Sequence, residues 1–452
     1  MNPNPIQKKF FFALKMGSIG FLMLILLIPM VMIESVIRER KDHQFQAQDE
    51  TISTWGYPQT LTGPVLIIPY QVRKVVQENE KNKTYIEKAR AYFLPENISI
   101  QSKVVPEIRY RGIYKVPVYQ TEMQVKGDFA KLDFSRWKID PADILWEEAI
   151  LVFGISDVRA IREANPVKLS NTENLPFEPM AEESEIISSG LKVLLGKRSL
   201  LFQNQPVEFN YSLKFAGSKQ INFIPVGKQS KISIDSPWVN PSFVGAYLPE
   251  HRTISEQGFT AEWNVLHLGR GYPQQWLNKE VAEGLLQRSA LGVSFMIPVD
   301  IYVQATRAAK YAILFIALTY LILLLFELVG RVPLNFLHYL LVGSSLCIFY
   351  LLLIATSEFI PFVFSYLIAM ISIVGLNFIY TKRVMGKWSH SLGVSLLLTV
   401  LYGFLYLLLS SQDSSLLVGA WGLFLILAIV MFMTSKLNWD SLILKKNNST
   451  ES

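Results

Sequence analysis

Apolar residues fall along this chain in two rhythms. Phe10 to Ile33 is a near-continuous apolar run whose one charge is Lys15. About 20 such residues in a helix cross the roughly 30 Å core of a bilayer. Five further runs crowd the last third, at 311–329, 339–356, 359–380, 392–409 and 416–434. The connections between them are short, so neighbouring helices must pack antiparallel in one bundle. Between the first run and the rest the rhythm changes to alternation. Ile108 to Val116, Val207 to Phe215 and Lys231 to Ile234 each alternate apolar and polar positions, the period of a strand with one buried face. Prolines at 69, 95, 106, 117, 225, 237 and 249 mark strand ends, and glycines at 112, 127, 217, 227 and 258 mark turns.

This pattern predicts a membrane protein: a bundle of six transmembrane helices with a large β-rich domain at 34–310 between helices 1 and 2. Many short strands with regular punctuation point to an antiparallel, sandwich-like domain. Pro141 to Ile150 and Asn278 to Leu291 look helical, the latter grouping Val281, Leu285 and Leu286 on one face. Ser170 to Ser189 is acidic and reads as an exposed loop. Ala91-Tyr92-Phe93-Leu94-Pro95-Glu96 is echoed by Gly245-Ala246-Tyr247-Leu248-Pro249-Glu250. From Leu291 to Tyr311, with Phe295, Ile297, Val299, Ile301 and Val303 alternating, a strand is expected to pass into the second span without a flexible linker.

The first run is too long for the short apolar segment of a signal peptide, and Pro29 to Glu34 offers no small-residue cleavage site, so it reads as an uncleaved anchor. Basic residues flank the spans unevenly. With the N-terminus in the cytoplasm, Lys8, Lys9, Arg331, Lys382, Arg383, Lys387, Lys436, Lys445 and Lys446 all lie inside, while the short outer turns carry Glu358 and Asp413. That places tails 1–9 and 435–452 in the cytoplasm and the 34–310 domain outside it.

Composition sharpens this picture. Half the chain is hydrophobic and 18% is charged, against about 25% in soluble domains. Residues 34–310 hold 33 of the 43 Lys/Arg and 32 of the 37 Asp/Glu. The net charge of +6 therefore sits mainly beside the apolar runs, where the bilayer rather than nucleic acid is the partner.

Chemistry is sparse. The single cysteine, Cys347, lies within the third span and reads as a packing residue, leaving the β-rich domain without disulfides. His43, His251, His267, His338 and His390 show no metal-ligand spacing. No nucleophile elbow or phosphate-binding glycine loop occurs; Gly269-Arg270-Gly271 reads as a turn, and Glu147-Glu148 cannot serve as a glycosidase dyad. Glu327 falls inside a span four residues before Arg331, and the two are expected to pair at the interface. Asn377 is expected to join helices. Trp55, Trp137, Trp146, Trp238, Trp263 and Trp276 are assigned to the core, and Trp388, Trp421 and Trp439 to span ends. No residue is assigned to catalysis, cofactor or metal.

Several stretches together resemble the CreD family of bacterial inner-membrane proteins. They are Trp55-Gly56-Tyr57-Pro58-Gln59 running into Leu61 to Tyr70, Tyr110 to Tyr119, Phe153 to Asp157, Ser236-Pro237-Trp238 with Pro241-Ser242-Phe243, Tyr247-Leu248-Pro249, and Gly292 to Phe315. The likeness covers nearly the whole chain. It implies an inner-membrane protein of cell-envelope integrity and the envelope-stress response, affecting colicin tolerance and β-lactam response, with no established catalytic residues to carry over. The expected function is therefore non-enzymatic, with other envelope proteins or cell-wall components as partners. An envelope enzyme acting on lipid or glycan is the alternative, marked by a cleft of converging ionisable groups. A transporter, marked by a broken helix or a polar cavity at mid-depth, comes third.

The charge asymmetry makes a direct topological prediction. Reporter fusions after Lys387 and Asp413 should read cytoplasm and periplasm respectively, and the opposite result at either point defeats the six-span arrangement.

Overall fold

A computed structural model of the chain describes residues 5–78, 81–170, 173–180, 186–281, 283–297, 301–330, 334–410 and 415–435. It divides into two compact units, Gln46–Pro298 and a second made of Met1–Phe45 with Val299–Ser452.

The first unit is β-rich. Its described strands are β1 (Gln59–Glu78), β2 (Lys81–Phe93), β3 (Asn97–Arg111), β4 (Tyr114–Phe129), β5 (Ile150–Ile155), β6 (Ile161–Leu169), β7 (Glu178–Pro179) and β8 (Gly190–Leu194). They continue with β9 (Val207–Ser218), β10 (Gln220–Ile224), β11 (Gln229–Ser236), β12 (Pro241–Gly245), β13 (His251–Ser255), β14 (Gly258–Leu266), β15 (Gln275–Leu277) and β16 (Leu291–Phe295). One sheet has nine strands, in the order β12-β16-β10-β1-β5-β8-β7 with β2 on β1 and β15 on β2; the other has seven, β13-β14-β11-β3-β4-β9-β6. Inner faces of both sheets share one core, to which Ile67, Leu151 and Phe223 come from the first and Val125, Phe209 and Ile232 from the second.

The alternation seen in the sequence has its counterpart in β9, where Val207, Phe209, Tyr211, Leu213 and Phe215 are buried and the residues between them are less so. The stretch Ile108–Val116 is not one strand, however. It turns back between β3 and β4 at Gly112, whose φ of +59° suits a residue without a side chain. The sheets are not wholly antiparallel either: β10 runs parallel to β1 and β11 parallel to β3. Tight turns impose antiparallel pairing, and neither pair is joined by one. The two Leu-Pro-Glu echoes occupy matching places. Each leads from a strand of the first sheet (β2, β12) to a hairpin of the second (β3–β4, β13–β14), and the amides of Glu96 and Glu250 both donate to the partner strand of that hairpin, to Asp128 O and Glu262 O, each at 2.8 Å.

Of the stretches expected to be helical, 141–150 contains only two single turns at Pro141–Asp143 and Trp146–Glu148 before β5. The second, 278–291, holds one such turn and a short helix. Val281 and Leu286 are buried in the core there. In the acidic stretch, Glu173 and Glu178 are described, whereas Glu182, Glu183 and Glu185 lie outside the described residues.

The helices are α1 (Pro5–Trp55), α2 (Leu201–Asn204) and α3 (Glu283–Gln287), then α4 (Ile301–Gly330), α5 (Phe336–Ser357), α6 (Phe362–Met385), α7 (Trp388–Ser410) and α8 (Ser415–Ser435). Five of them, α1 and α4 to α7, are long and apolar enough to cross a membrane. The run expected at 416–434 is helical as α8, 21 residues long, with a described apolar stretch at Leu417–Ile429.

Two boundaries differ from the expected ones. Helix α1 continues through 34–55, where the β-rich domain was expected to begin. Glu34 to Thr54 contains neither glycine nor proline and is rich in helix-forming Glu, Arg, Lys and Gln, and the helix stops at Gly56, whose φ is +145°. At the other end β16 stops at Phe295 and α4 begins at Ile301, so Ile301 and Val303 are helical rather than alternating strand residues. Ala305 and Ala308, deeply buried in the bundle, favour the helix there, while residues 298–300 lie outside the described residues.

Candidate functional site

In the β-rich unit, stretches far apart in sequence meet where the chain enters and leaves. Asp157, just past β5, is 7% exposed. Its carboxylate accepts from the amides of Tyr57 (3.4 Å) and Arg159 (3.1 Å) and takes the Arg159 guanidinium side-on, Nε to Oδ1 at 2.9 Å and Nη2 to Oδ2 at 3.2 Å. Its own amide donates to the side chain of Gln59, which is fully buried (3.2 Å). Burial works to raise the Asp157 pKa, yet the Arg159 fork and the two amides outweigh it and hold the carboxyl below its usual range. The end of α1 is thus tied to the end of β5. Gly56 is required between them, because a Cβ there would stand 2.9 Å from that of Ala160.

Beside this tie, Trp55 Nε1 donates to Tyr119 O at 3.3 Å, and Arg109 stacks 4.7 Å from the Trp55 ring. Tyr119, wholly buried, donates to Gln220 O (3.0 Å) and packs 5.3 Å from Phe295, which in turn lies 6.0 Å from Trp238. The chain's crossing into the unit at Trp55 and its exit at Phe295 therefore lean on one residue, Tyr119.

In the helical unit two carboxylates are held across helices. Lys15 of α1 donates to Glu327 of α4 and to Leu334 O (2.9 Å), and Tyr339 of α5 donates to the other oxygen of Glu327 at 2.9 Å. The expected partner of Glu327 within its own helix was Arg331. Arg331 lies outside the described residues, and the carboxylate turns toward the neighbouring helices, which supply two donors. A second set joins the same helices: Tyr302 of α4 donates to Glu358 at the end of α5 (3.0 Å), and Arg40 of α1 approaches the same oxygen at 3.8 Å. Glu358 is 8% exposed. The two sets stand twenty-five residues apart on α1 and again on α4, about 38 Å at helical rise.

The remaining singled-out residues do not gather. Asn377 of α6 donates to Ser345 Oγ of α5 at 2.8 Å, joining two helices as expected. Cys347 is a buried free thiol. His43 approaches Glu39 (3.6 Å), His267 starts a single turn, His338 accepts from the Asn335 amide (3.0 Å), and Nδ1 of His390 is buried without a partner. His251 lines an open groove of about 280 Å³ on the polar face of the second sheet with Glu250, Glu262 and Lys231. Among the described residues no group of three His, Cys, Asp or Glu could hold a metal ion. Trp263 and Trp276 are buried, Trp137, Trp146 and Trp238 pack against the core, and Trp388 and Trp421 are exposed on their helices. Trp439 lies outside the described residues.

Reading the sequence missed Asp157 and the Lys15–Glu327 pair. The available signal for the latter was one isolated charge of each sign in two apolar runs.

A family model described as "Inner membrane protein CreD" matches residues 11–440. The chain is also similar to the inner membrane protein CreD of Escherichia coli (strain K12), with 32% identity over 441 residues, 97% of this chain and 96% of that protein.

Two predictions follow from the paired charges. Lys15→Met or Glu327→Leu alone should destabilise the helical unit by about 3 kcal/mol, and the double replacement should recover most of the loss; unfolding in mild detergent measures both. Asp157→Asn should cost about 1–3 kcal/mol at pH 7. Because folding lowers the Asp157 pKa, its contribution is complete above the unfolded value near 3.9 and is lost as pH falls through the folded one. The wild-type advantage should therefore shrink only below about pH 4, as thermal unfolding across a pH series would show.

Proposed function

This chain belongs to the CreD family of inner membrane proteins, and from that premise we propose that it maintains the cell envelope under stress without catalysing a reaction. In this reading six spans hold it in the inner membrane, both tails are cytoplasmic, and the β-rich unit is periplasmic. That unit engages other envelope proteins or cell-wall components, while the bundle is held by lipid and by its paired charges.

The observation that carries this reading is the clamp at Trp55, Asp157, Tyr119 and Phe295. Groups that could have served chemistry are spent there on tying down both ends of the β-rich unit. A unit clamped at both crossings passes a change on its surface to the chain on either side, into α1 through Trp55 and toward α4 through Phe295. Catalysis asks for something different, ionisable groups converging on a reacting atom.

The experiment is complementation. Cells lacking the protein should change in sensitivity to β-lactams and colicins, and the full chain should restore them. A chain reduced to its helices should not. Photo-crosslinking from Tyr110, which is 64% exposed at the end of β3, should capture an envelope component. Restoration by the helices alone, or no phenotype in the deletion, overturns the reading.

A further inference from the structure

Arg270 stands in the turn before β15 and is 8% exposed. Its Nη1 donates to Pro225 O, and its guanidinium lies 4.6 Å from the centre of the Tyr272 ring. Its Nε and Nη2 are buried, and no described residue accepts from them. The charges described above are paired: Asp157 with Arg159, Glu327 with Lys15, Glu358 with Arg40. Arg270 is not. An ion held away from water without a counter-charge costs several kcal/mol.

The two unpartnered nitrogens form one edge of the guanidinium. It is the same edge with which Arg159 grips Asp157 in this unit, and its parallel donors match two oxygens of a carboxylate. Burial lowers the Arg270 pKa, and among the described side chains the titratable groups that act on it are Tyr272 and Tyr247, both neutral at neutral pH. Gln274 Oε1, four residues on, is likewise buried without a partner, but an amide oxygen leaves the charge uncancelled.

We propose that Arg270 is a binding site for the carboxylate of a small ligand, taken side-on by Nε and Nη2. A single cation is neutralised by a monoanion, whereas a phosphate dianion would leave net charge buried. Access is guarded lightly. Tyr247, half-buried, donates to Gly269 O at 2.7 Å, and this hydrogen bond, worth about 1 kcal/mol, holds its side chain over the turn. Leu248 and Leu268, next in sequence to Tyr247 and Gly269, are 69% and 81% exposed, apolar surface that a ligand with a short apolar body could meet. Tyr272 is fixed beneath by bonds to Pro225 O (3.1 Å) and Ser289 Oγ (3.0 Å).

This inference rests on the β-rich unit being the ligand-facing part of the protein, and it is tested without any envelope phenotype, so either can fail alone. Full-length protein in detergent is titrated calorimetrically with N-acetyl-dialanine, its C-terminal amide and inorganic phosphate. The free acid should bind and raise the melting temperature, and the amide should not. Arg270→Lys keeps the charge but lacks the edge, and should weaken the acid at least tenfold. Should that variant fail to fold, Tyr247→Ala serves instead, opening the cover and speeding association of the acid. Equal binding of acid and amide, no binding of the acid, or tighter binding of phosphate overturns the proposal. So does an Arg270→Met protein that melts higher than wild type while still binding the acid.

Discussion

A charge inside an apolar bundle must find its opposite, and much of the helical unit is arranged around that requirement. Lys15 and Glu327 are each the lone charge of a long apolar stretch, and each alone would bear the cost of leaving water. Together they satisfy one another, with Tyr339 and Leu334 O completing the set. The pair brings α1 against α4 although some three hundred residues separate them, and the helices between α4 and α7 add packing that needs no charge, such as Phe349 against Tyr402 and Tyr366.

The β-rich unit solves another problem, that of holding an inserted domain together without a disulfide. Its core is large enough to be stable on burial alone. The weak points are the two places where the chain crosses in and out, because ends fray unless tied down. Asp157 and Tyr119 tie them with a buried carboxylate and a buried ring. The motifs by which the chain resembles its family meet here: Trp55 to Gln59, Phe153 to Asp157, and Phe295 with Trp238. What they share is placement at the joints of the domain.

The spans and the two-sheet unit were legible because each follows from local periodicity. An apolar run of twenty residues has few alternatives, and the alternation in Val207 to Phe215 puts one face inward wherever the strand lies. The continuation of α1 to Trp55 was less visible, since a polar helix has no apolar run to announce it. Parallel pairing of β1 with β10 could not be read, because register between distant strands is decided by the packed core. For Glu327 helical geometry offers Arg331, four residues on and outside the described residues. The donors it receives from Lys15 and Tyr339 are a matter of tertiary packing, as is the burial of Arg270, which looked like part of an ordinary turn.

The equal spacing of the two charge sets on α1 and α4 bears on the lipid around the bundle. Sliding α1 past α4 by one turn, about 5.4 Å, would break both sets at once, so the helices cannot adjust their combined length to the membrane. A bilayer of another thickness is then met by tilt of the whole bundle or by deformation of the lipid, at fractions of a kcal/mol for each ångström of mismatch, and not by one helix riding along the other.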